Sequence, residues 1–177
     1  MRMVAVCAVL VSVPVPAAIL SWSGGGANAY WNNSDNWGYA GTPANGDTLI
    51  FSASQPNLLN TNNIASLTLN QIRFVGAGGG YDLRGNAFTL TNSIMATNTT
   101  GANTIENNIT FTNFNVTILV SNSVSLTLAG SLGGSSTVTK NGLGTLTYSG
   151  STANTYTNLT PSTKGNWIWP RVAMLRP

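Results

Sequence analysis

The 177-residue sequence contains no histidine and only one cysteine, Cys7, which lies in an apolar N-terminal stretch. Without histidine, Ser-His-Asp and Cys-His catalytic arrangements and His-based metal sites are excluded. With a single cysteine, neither a disulfide framework nor a Cys-based metal site can form. The sequence therefore predicts no metal site and no bound cofactor.

Charged residues are also scarce, at 6% of the chain against roughly a quarter in typical soluble domains. The net charge of +3 arises near the two ends, because the body between Trp22 and Thr160 holds three basic and four acidic residues. A nucleic-acid surface needs a basic stripe that neutralises several phosphates. The body has no such stripe, so we expect no nucleic-acid partner.

The four acidic residues of the body are scattered, at Asp35, Asp47, Asp82 and Glu106. A glycosidase needs two carboxyl groups that flank one bond. The separation of Asp82 and Glu106 in the sequence is close to one turn of a coil, so they could approach each other. Solvated surface positions are the simpler interpretation, and the sequence predicts that the protein is not an enzyme.

The body is instead rich in Asn, Thr and Ser, and apolar-Thr-apolar triplets recur along it. Alternating apolar and polar residues indicate strands with one buried face. Five triplets follow one another at similar steps, of which the step from the third to the fourth is the shortest, and they are centred on Thr68, Thr89, Thr110, Thr127 and Thr147. A period of about 20 residues is typical of solenoids, whose coils bury their apolar faces by stacking.

These patterns predict an all-β protein, a short right-handed parallel β-helix (solenoid) with an N-terminal cap. Asn70-Gln71 shifts the alternation by one residue, which predicts a corner within a coil. An antiparallel β-sandwich is the alternative, because Asn141-Gly142 is also a hairpin signal that would pair Val138 with Leu146. In the parallel fold we expect one stacked ladder of Leu69, Leu90, Phe111 and Leu128.

The most complete repeat unit runs from Val138 to Thr157 and combines turn, short strand and turn. Its characteristic residues are Lys140, Gly142, Gly144, Thr145, Leu146, Tyr148, Gly150, Asn154 and Tyr156. This pattern resembles the autotransporter-associated β-strand repeat of bacterial passenger domains. It departs from that repeat in two ways: extra residues precede Asn154, and Asn158 stands where the repeat has a glycine. The resemblance implies a β-solenoid exported to the cell surface, and it brings no catalytic residue.

The chain is expected to divide into four segments. Residues 1–20, with Arg2 before an apolar run shorter than the ~20 residues of a membrane helix, predict a signal peptide. Residues 21–54 are an N-terminal cap, and residues 55–160 are β-solenoid repeats. Residues 161–177 lack strand alternation and are interpreted as an atypical or truncated tail.

Three of the five tryptophans, Trp22, Trp31 and Trp37, lie in the cap segment. They permit two interpretations. Aromatic faces beside amide side chains could bind glycans, whereas bulky aromatics could also plug the open end of a solenoid. The second interpretation is favoured, because the apolar interior of a terminal coil must be covered.

Together these features predict a secreted structural or surface protein, a passenger-type stalk or adhesin fragment without catalysis. The alternative is a carbohydrate-binding module that uses the three cap tryptophans. We expect the protein at the bacterial cell surface or outside the cell, with no stable membrane span after signal removal. The expected partners are surface glycans or other passenger chains.

Overall fold

The computed structural model describes residues 16–156, 158–160 and 166–168. These residues form β-strands and one short 3-10 helix, η1 (Ser34–Trp37). The strands in chain order are β1 (Ile19–Trp22), β2 (Thr48–Ser52), β3 (Leu59–Asn62), β4 (Leu67–Val75), β5 (Asp82–Gly85), β6 (Phe88–Ala96), β7 (Gly101–Ile105), β8 (Ile109–Phe111), β9 (Asn115–Val120), β10 (Val124–Leu128), β11 (Leu132–Gly134), β12 (Thr137–Asn141), β13 (Thr145–Tyr148), β14 (Asn158–Thr160) and β15 (Trp167–Ile168).

All strand pairs within these residues are parallel and join successive coils, so that each full coil passes through three ladders. The first ladder contains residues 67–69, 88–90, 109–111 and 132–134. The second ladder contains β1, β2, residues 71–75 and 93–96, β9, β12 and β14. The third ladder contains β3, β5, β7, β10, β13 and β15. The predicted β-solenoid is confirmed, with about 4 turns.

Strand direction decides against the antiparallel alternative. Val138 is the register partner of Val116 on β9, and Leu146 is the register partner of Leu126 on β10. Val138 and Leu146 therefore lie in different ladders, and the hairpin that would pair them is wrong. Asn141-Gly142 turns the chain from the second ladder to the third instead of reversing it.

Register also gives the length of a coil. The successive partners in the second ladder are Thr48, Gln71, Ser93, Thr117 and Thr139, so a coil is slightly longer than the triplet spacing suggested. The predicted corner at Asn70-Gln71 lies inside the continuous strand β4, where the register to β6 shifts between Leu69 and Gln71. Leu69 and Ile72 are both buried across this shift, as the broken alternation predicted.

The interior is a stack of apolar side chains, each of which contributes about 1.5–3 kcal/mol on full burial. Leu69, Leu90 and Phe111 are register partners in the first ladder and are all buried, as predicted. The prediction that Leu128 continues this ladder is wrong. Leu128 is buried in the third ladder, between Ile105 and Tyr148, because the shortest step between triplets marks a change of ladder.

The first strand begins inside the segment that the sequence assigned to a signal peptide. Ile19–Trp22 pairs with β2, Leu20 is buried, and the backbone N–H of Ala18 donates to Asp47 Oδ1 at 2.7 Å. The boundary at residue 20 therefore divides β1. The rest of the predicted leader, residues 1–15, lies outside the described residues, as does most of the predicted tail.

Candidate functional site

The three cap tryptophans form one cluster inside the first coils. Trp22, Trp31 and Trp37 expose only 1%, 0% and 2% of their surface. Trp37 meets the edges of the other two rings, with centroid distances of 5.1 Å to Trp22 and 6.2 Å to Trp31. All three rings also contact Phe51 on β2 at 6.0–6.1 Å.

The indole N–H groups of this cluster are engaged within the protein. Trp31 Nε1 donates to Asn60 Oδ1 at 2.7 Å, and Trp37 Nε1 donates to the carbonyl oxygen of Trp31 at 2.9 Å. Trp22 Nε1 donates to the carbonyl oxygen of Pro56 at 3.3 Å. A sugar stacks on an accessible ring face, and these rings have none. The glycan interpretation of the three tryptophans is therefore corrected, and they are core residues of the cap.

Asn36, in η1, holds the cap loop together and is fully buried. Its Nδ2 donates to the carbonyl oxygens of Asn28 and Tyr30, and its Oδ1 accepts from the backbone N–H of Gly26. Its carbonyl oxygen accepts from the N–H of Ser23 at 2.7 Å. One side chain thus satisfies three backbone groups that would otherwise be buried without partners.

The repeat-motif residues from Lys140 to Tyr148 occupy one coil and alternate in direction. Lys140, Leu146 and Tyr148 are buried, whereas Thr145 is half-exposed. Lys140 is the register partner of Ile118, and its Nζ donates to the carbonyl oxygen of Gly142 at 2.8 Å. Burial lowers the pKa of the Lys140 ammonium from its ordinary value.

The motif glycines lie where the backbone of the preceding coil leaves no room for a side chain. A Cβ at Gly142, which has a φ of +82°, would overlap the carbonyl oxygen of Val120. A Cβ at Gly144 would overlap the carbonyl oxygen of Ser121, and one at Gly150 would lie 2.8 Å from that of Ala129. The motif therefore has glycines at these turns because successive coils approach each other too closely there for a side chain.

The later motif residues fasten the next turn onto this stack. Asn154 Oδ1 accepts from the backbone N–H of Leu132 at 2.9 Å, and the ring of Tyr156 lies 6.2 Å from that of Phe111. Burial raises the pKa of Tyr156 to about 12, although a hydrogen bond with Tyr148 lowers it. Burial also raises the pKa of Tyr148, and the charge and hydrogen bond of Tyr156 add to this effect.

The structure brings Asp82 and Glu106 together, but around a cation. Arg84 Nη2 lies 2.5 Å from Asp82 Oδ2, and Arg84 Nε lies 3.2 Å from Glu106 Oε2. The hydrogen bond with Asp82 raises the pKa of Arg84, against a smaller lowering by desolvation. The three groups form an ion-pair cluster at the surface of the third ladder, in which Arg84 and Glu106 are exposed and Asp82 is half-buried. Asp35 and Asp47 lie in the cap, where Asp47 accepts from the N–H groups of Ala18 and Ala44.

Sequence reasoning missed an asparagine column at the corner after the third ladder. Asn62 Nδ2 and Asn107 Nδ2 both donate to the carbonyl oxygen of Asn86, at 3.0 and 2.9 Å. Asn62 and Asn107 are buried, and Gly85 lies between them in the stack. The available signal was the recurrence of Asn or Gly one coil apart, at the end of a third-ladder strand for Asn62 and Gly85 and two residues past it for Asn107.

The outer surface offers a shallow, open depression of about 380 Å³ over the first ladder, lined by Ser66, Leu67, Ala87, Phe88, Thr89 and Thr110. Among the described residues, no group of three or more Asp, Glu, His or Cys side chains could hold a metal ion. The described part of the chain also contains no helix long and apolar enough to cross a membrane. Comparison of the chain with known protein families, curated proteins and solved structures found no match.

Proposed function

We propose that the protein is a structural element of the bacterial surface, a stalk built from autotransporter-associated repeats rather than a catalyst. The observation that carries this proposal is the repeat unit from Lys140 to Tyr156, whose glycines leave room for the backbone of the preceding coil and whose Asn154 accepts a hydrogen bond from that coil. Repeat residues that hold neighbouring coils together are expected in a rigid, elongated structural protein.

The outward-facing positions support the same role. In the first ladder Thr68, Thr89 and Thr110 are register partners, and in the third ladder Thr127 is the partner of Thr147. β-Branched residues favour strands, and their hydroxyl groups keep the surface hydrated without charge. Such a surface suits lateral neighbours of the same kind, and the proposed partners are other passenger chains or surface glycans.

Deletion of one coil tests the stalk role. Phe88 and Ile109 are register partners, so removal of residues 88–108 joins Ala87 to Ile109 one coil further along. We expect a folded β-protein shortened by about 4.8 Å, the spacing between strands, as measured by small-angle X-ray scattering and circular dichroism. A shortened chain that loses its β-structure would argue against independent stacked coils.

Export is tested separately. The full chain, with a C-terminal epitope tag, is expressed in a bacterial host and located by fractionation and by protease treatment of intact cells. We expect the tag outside the cytoplasm. Retention in the cytoplasm contradicts the proposed location but leaves the stalk architecture standing, so the two parts of the proposal can fail independently.

A further inference from the structure

The outer face of the third ladder changes in chemistry along the solenoid. In the later coils its outward positions carry hydroxyl groups, on the successive register partners Thr104, Thr127 and Thr147. In the earlier coils the same face carries an aromatic ring, an aliphatic side chain and three charged groups, on Tyr30, Leu59, Asp82, Arg84 and Glu106. The early coils therefore present a surface of mixed chemistry that the later coils lack.

Two outward columns make up this surface. Tyr30 forms a parallel bridge with Thr61, and Thr61 is the register partner of Arg84, so the three side chains lie in one column. Glu106 extends this column on the next coil, where its N–H donates to the carbonyl oxygen of Leu83 at 2.8 Å. Three coil steps separate Tyr30 from Glu106, which is roughly 14 Å at the spacing between strands. The second column places Leu59 beside Asp82, its register partner.

The ring of Tyr30 is presented to solvent from a fixed backbone. Its side chain is 47% exposed, and that of Leu59 on the next coil is 51% exposed. The backbone N–H of Tyr30 donates to Asn28 Oδ1 at 3.1 Å, and its carbonyl oxygen accepts from Asn36 Nδ2 at 2.9 Å. The apolar end of the surface is therefore held in place before any ligand arrives.

The charged end is also held in place, and it keeps unused hydrogen-bonding groups. Nε and Nη2 of Arg84 are engaged by Asp82 Oδ2 and Glu106 Oε2. Within the part of the chain that the structure describes, Arg84 Nη1 and Glu106 Oε1 have no protein partner. The two side chains are 46% and 42% exposed. A donor and an acceptor therefore lie side by side, oriented by the ion pairs.

Stability does not account for this cluster. Exposed ion pairs contribute little to folding, and β5 is already held by its ladder partners and by the buried side chain of Leu83. Charged residues make up only 6% of the chain, yet three of them meet on the same face as the exposed ring of Tyr30. Recognition of a ligand explains this concentration better than stabilisation does.

We propose that this surface binds an uncharged oligosaccharide, which lies along the solenoid axis from Tyr30 to Glu106. The ring of Tyr30 and the side chain of Leu59 contact the C–H groups of one sugar. Further along, Arg84 Nη1 donates to one sugar hydroxyl group, and Glu106 Oε1 accepts from the adjacent one. Because two carboxylates surround one guanidinium, the local charge is negative and acidic sugars are repelled.

The inference rests on the proposed surface role, because only an exported chain meets such glycans. It adds a site and a sugar class to the proposed partnership with surface glycans. Binding is measured on the purified protein, so its failure is separate from failure of the coil-deletion or export experiments.

Calorimetric titration of the full chain tests the proposal. The probes are cello-, manno- and N-acetylchito-oligosaccharides, which are uncharged, and oligogalacturonate, which is acidic. We expect the parent chain to bind at least one uncharged probe at millimolar concentration, and Tyr30→Ala to weaken that binding by roughly tenfold. Tyr39→Ala, at a position 80% exposed in the cap segment, is the matched control and should bind like the parent. A parent chain that binds no uncharged probe, or that binds oligogalacturonate as tightly, overturns the proposal.

Two further variants separate the site from a general effect on the fold. Tyr30→Trp enlarges the stacking ring and should tighten binding, so the proposal stays testable if Tyr30→Ala fails to fold. Arg84→Lys keeps the positive charge but loses the guanidinium fork, so we expect roughly fivefold weaker binding with the β circular-dichroism signal of the parent. Folded Tyr30 variants that bind like the parent, or an Arg84→Lys chain that does so, overturn the proposed contacts.

Discussion

Lys140 is the register partner of Ile118 in the second ladder, so a side chain with an ammonium group is stacked in the same column as Ile118, Ile94 and Ile72. All four side chains are buried. The Nζ of Lys140 reaches the carbonyl oxygen of Gly142 at 2.8 Å and thereby braces the motif turn. Lys140 belongs to the repeat pattern, yet the burial of its ammonium group lowers the stability of the folded state.

Lys140→Met is expected to stabilise the protein at pH 7 by on the order of 1 kcal/mol, because an apolar side chain of similar length removes the burial cost of the ammonium. Burial lowers the pKa of Lys140 in the folded state, so the unfolded chain binds the proton more strongly. The cost is therefore full below the folded pKa and fades as pH rises toward 10.5, the unfolded value.

Denaturant unfolding from pH 6 to pH 10 measures this difference. The advantage of Lys140→Met over the parent chain should shrink as pH rises. Asn141→Met, at the exposed neighbouring position, is the control and should show no such trend. An advantage that is absent at pH 7, or that grows with pH, would show that the ammonium is not buried as described.

Gly142→Ala is expected to destabilise the fold by roughly 2–4 kcal/mol. Two costs combine, since φ is +82° and the new Cβ would overlap the carbonyl oxygen of Val120 on the preceding coil. Gly25→Ala is the matched control, because its Cβ would lie 3.5 Å from its nearest neighbour, an ordinary contact. Chemical denaturation of both variants compares them, and equal stabilities would refute the close approach of the coils.

The sequence was sufficient to predict coils but not to assign every strand to its ladder. Thr68, Thr89 and Thr110 follow one another at equal steps and are true register partners, whereas Thr127 and Thr147 belong to the third ladder. The triplets look alike because every ladder of a solenoid alternates in the same way. Only the shorter step from Thr110 to Thr127 separates the two sets, and a single sequence cannot distinguish a short coil from a change of ladder.

The candidate site shows the same limit for different reasons. The sequence places the three cap tryptophans in one N-terminal segment, but their burial depends on Phe51 and Asn60, which lie later in the chain. The asparagine column depends on the carbonyl oxygen of Asn86, one residue past Gly85, lying within reach of Asn62 and Asn107 on the two adjacent coils. Contacts of this kind depend on the exact register, which periodicity alone leaves uncertain by a residue or two.

Asn107→Asp is expected to destabilise the protein by roughly 3 kcal/mol at pH 7, because a buried carboxylate would face the carbonyl oxygen of Asn86 in place of an amide donor. The burial should raise the pKa of the new carboxyl group above its unfolded value of about 3.9. Stability should therefore be retained at low pH and lost as pH rises from about 3.9 through the folded pKa.

The adjacent Asn108→Asp supplies the control. Asn108 is exposed, and its Oδ1 accepts from the N–H of Ser131 at 2.8 Å, a role that a carboxylate can also fill. Thermal unfolding at pH 4 and pH 7 compares the two variants. If Asn107→Asp and Asn108→Asp show the same pH dependence, the asparagine corner is not buried.

Buried phenols should make the fold sensitive to alkali. Burial raises the pKa of Tyr81 and that of Tyr156 to about 12, from an ordinary value of 10.0. The folded chain therefore keeps protons that the unfolded chain releases, so stability falls as pH rises from 10 through about 12. Tyr81 also donates from its hydroxyl group to the carbonyl oxygen of Ser52 at 2.6 Å.

Tyr81→Phe tests two contributions of the Tyr81 hydroxyl group to stability: its hydrogen bond to Ser52 and its ionisation at high pH. Loss of the hydrogen bond should cost about 1 kcal/mol at pH 7, while the decline in stability above pH 10 becomes shallower. Tyr39→Phe, at an exposed position, should leave both quantities unchanged. Unfolding followed by circular dichroism, with phenolate absorbance recorded in parallel, measures both. If the Tyr81→Phe chain loses stability above pH 10 as steeply as the parent chain, then Tyr81 is not the phenol that couples ionisation to unfolding, and its burial between the first coils is contradicted.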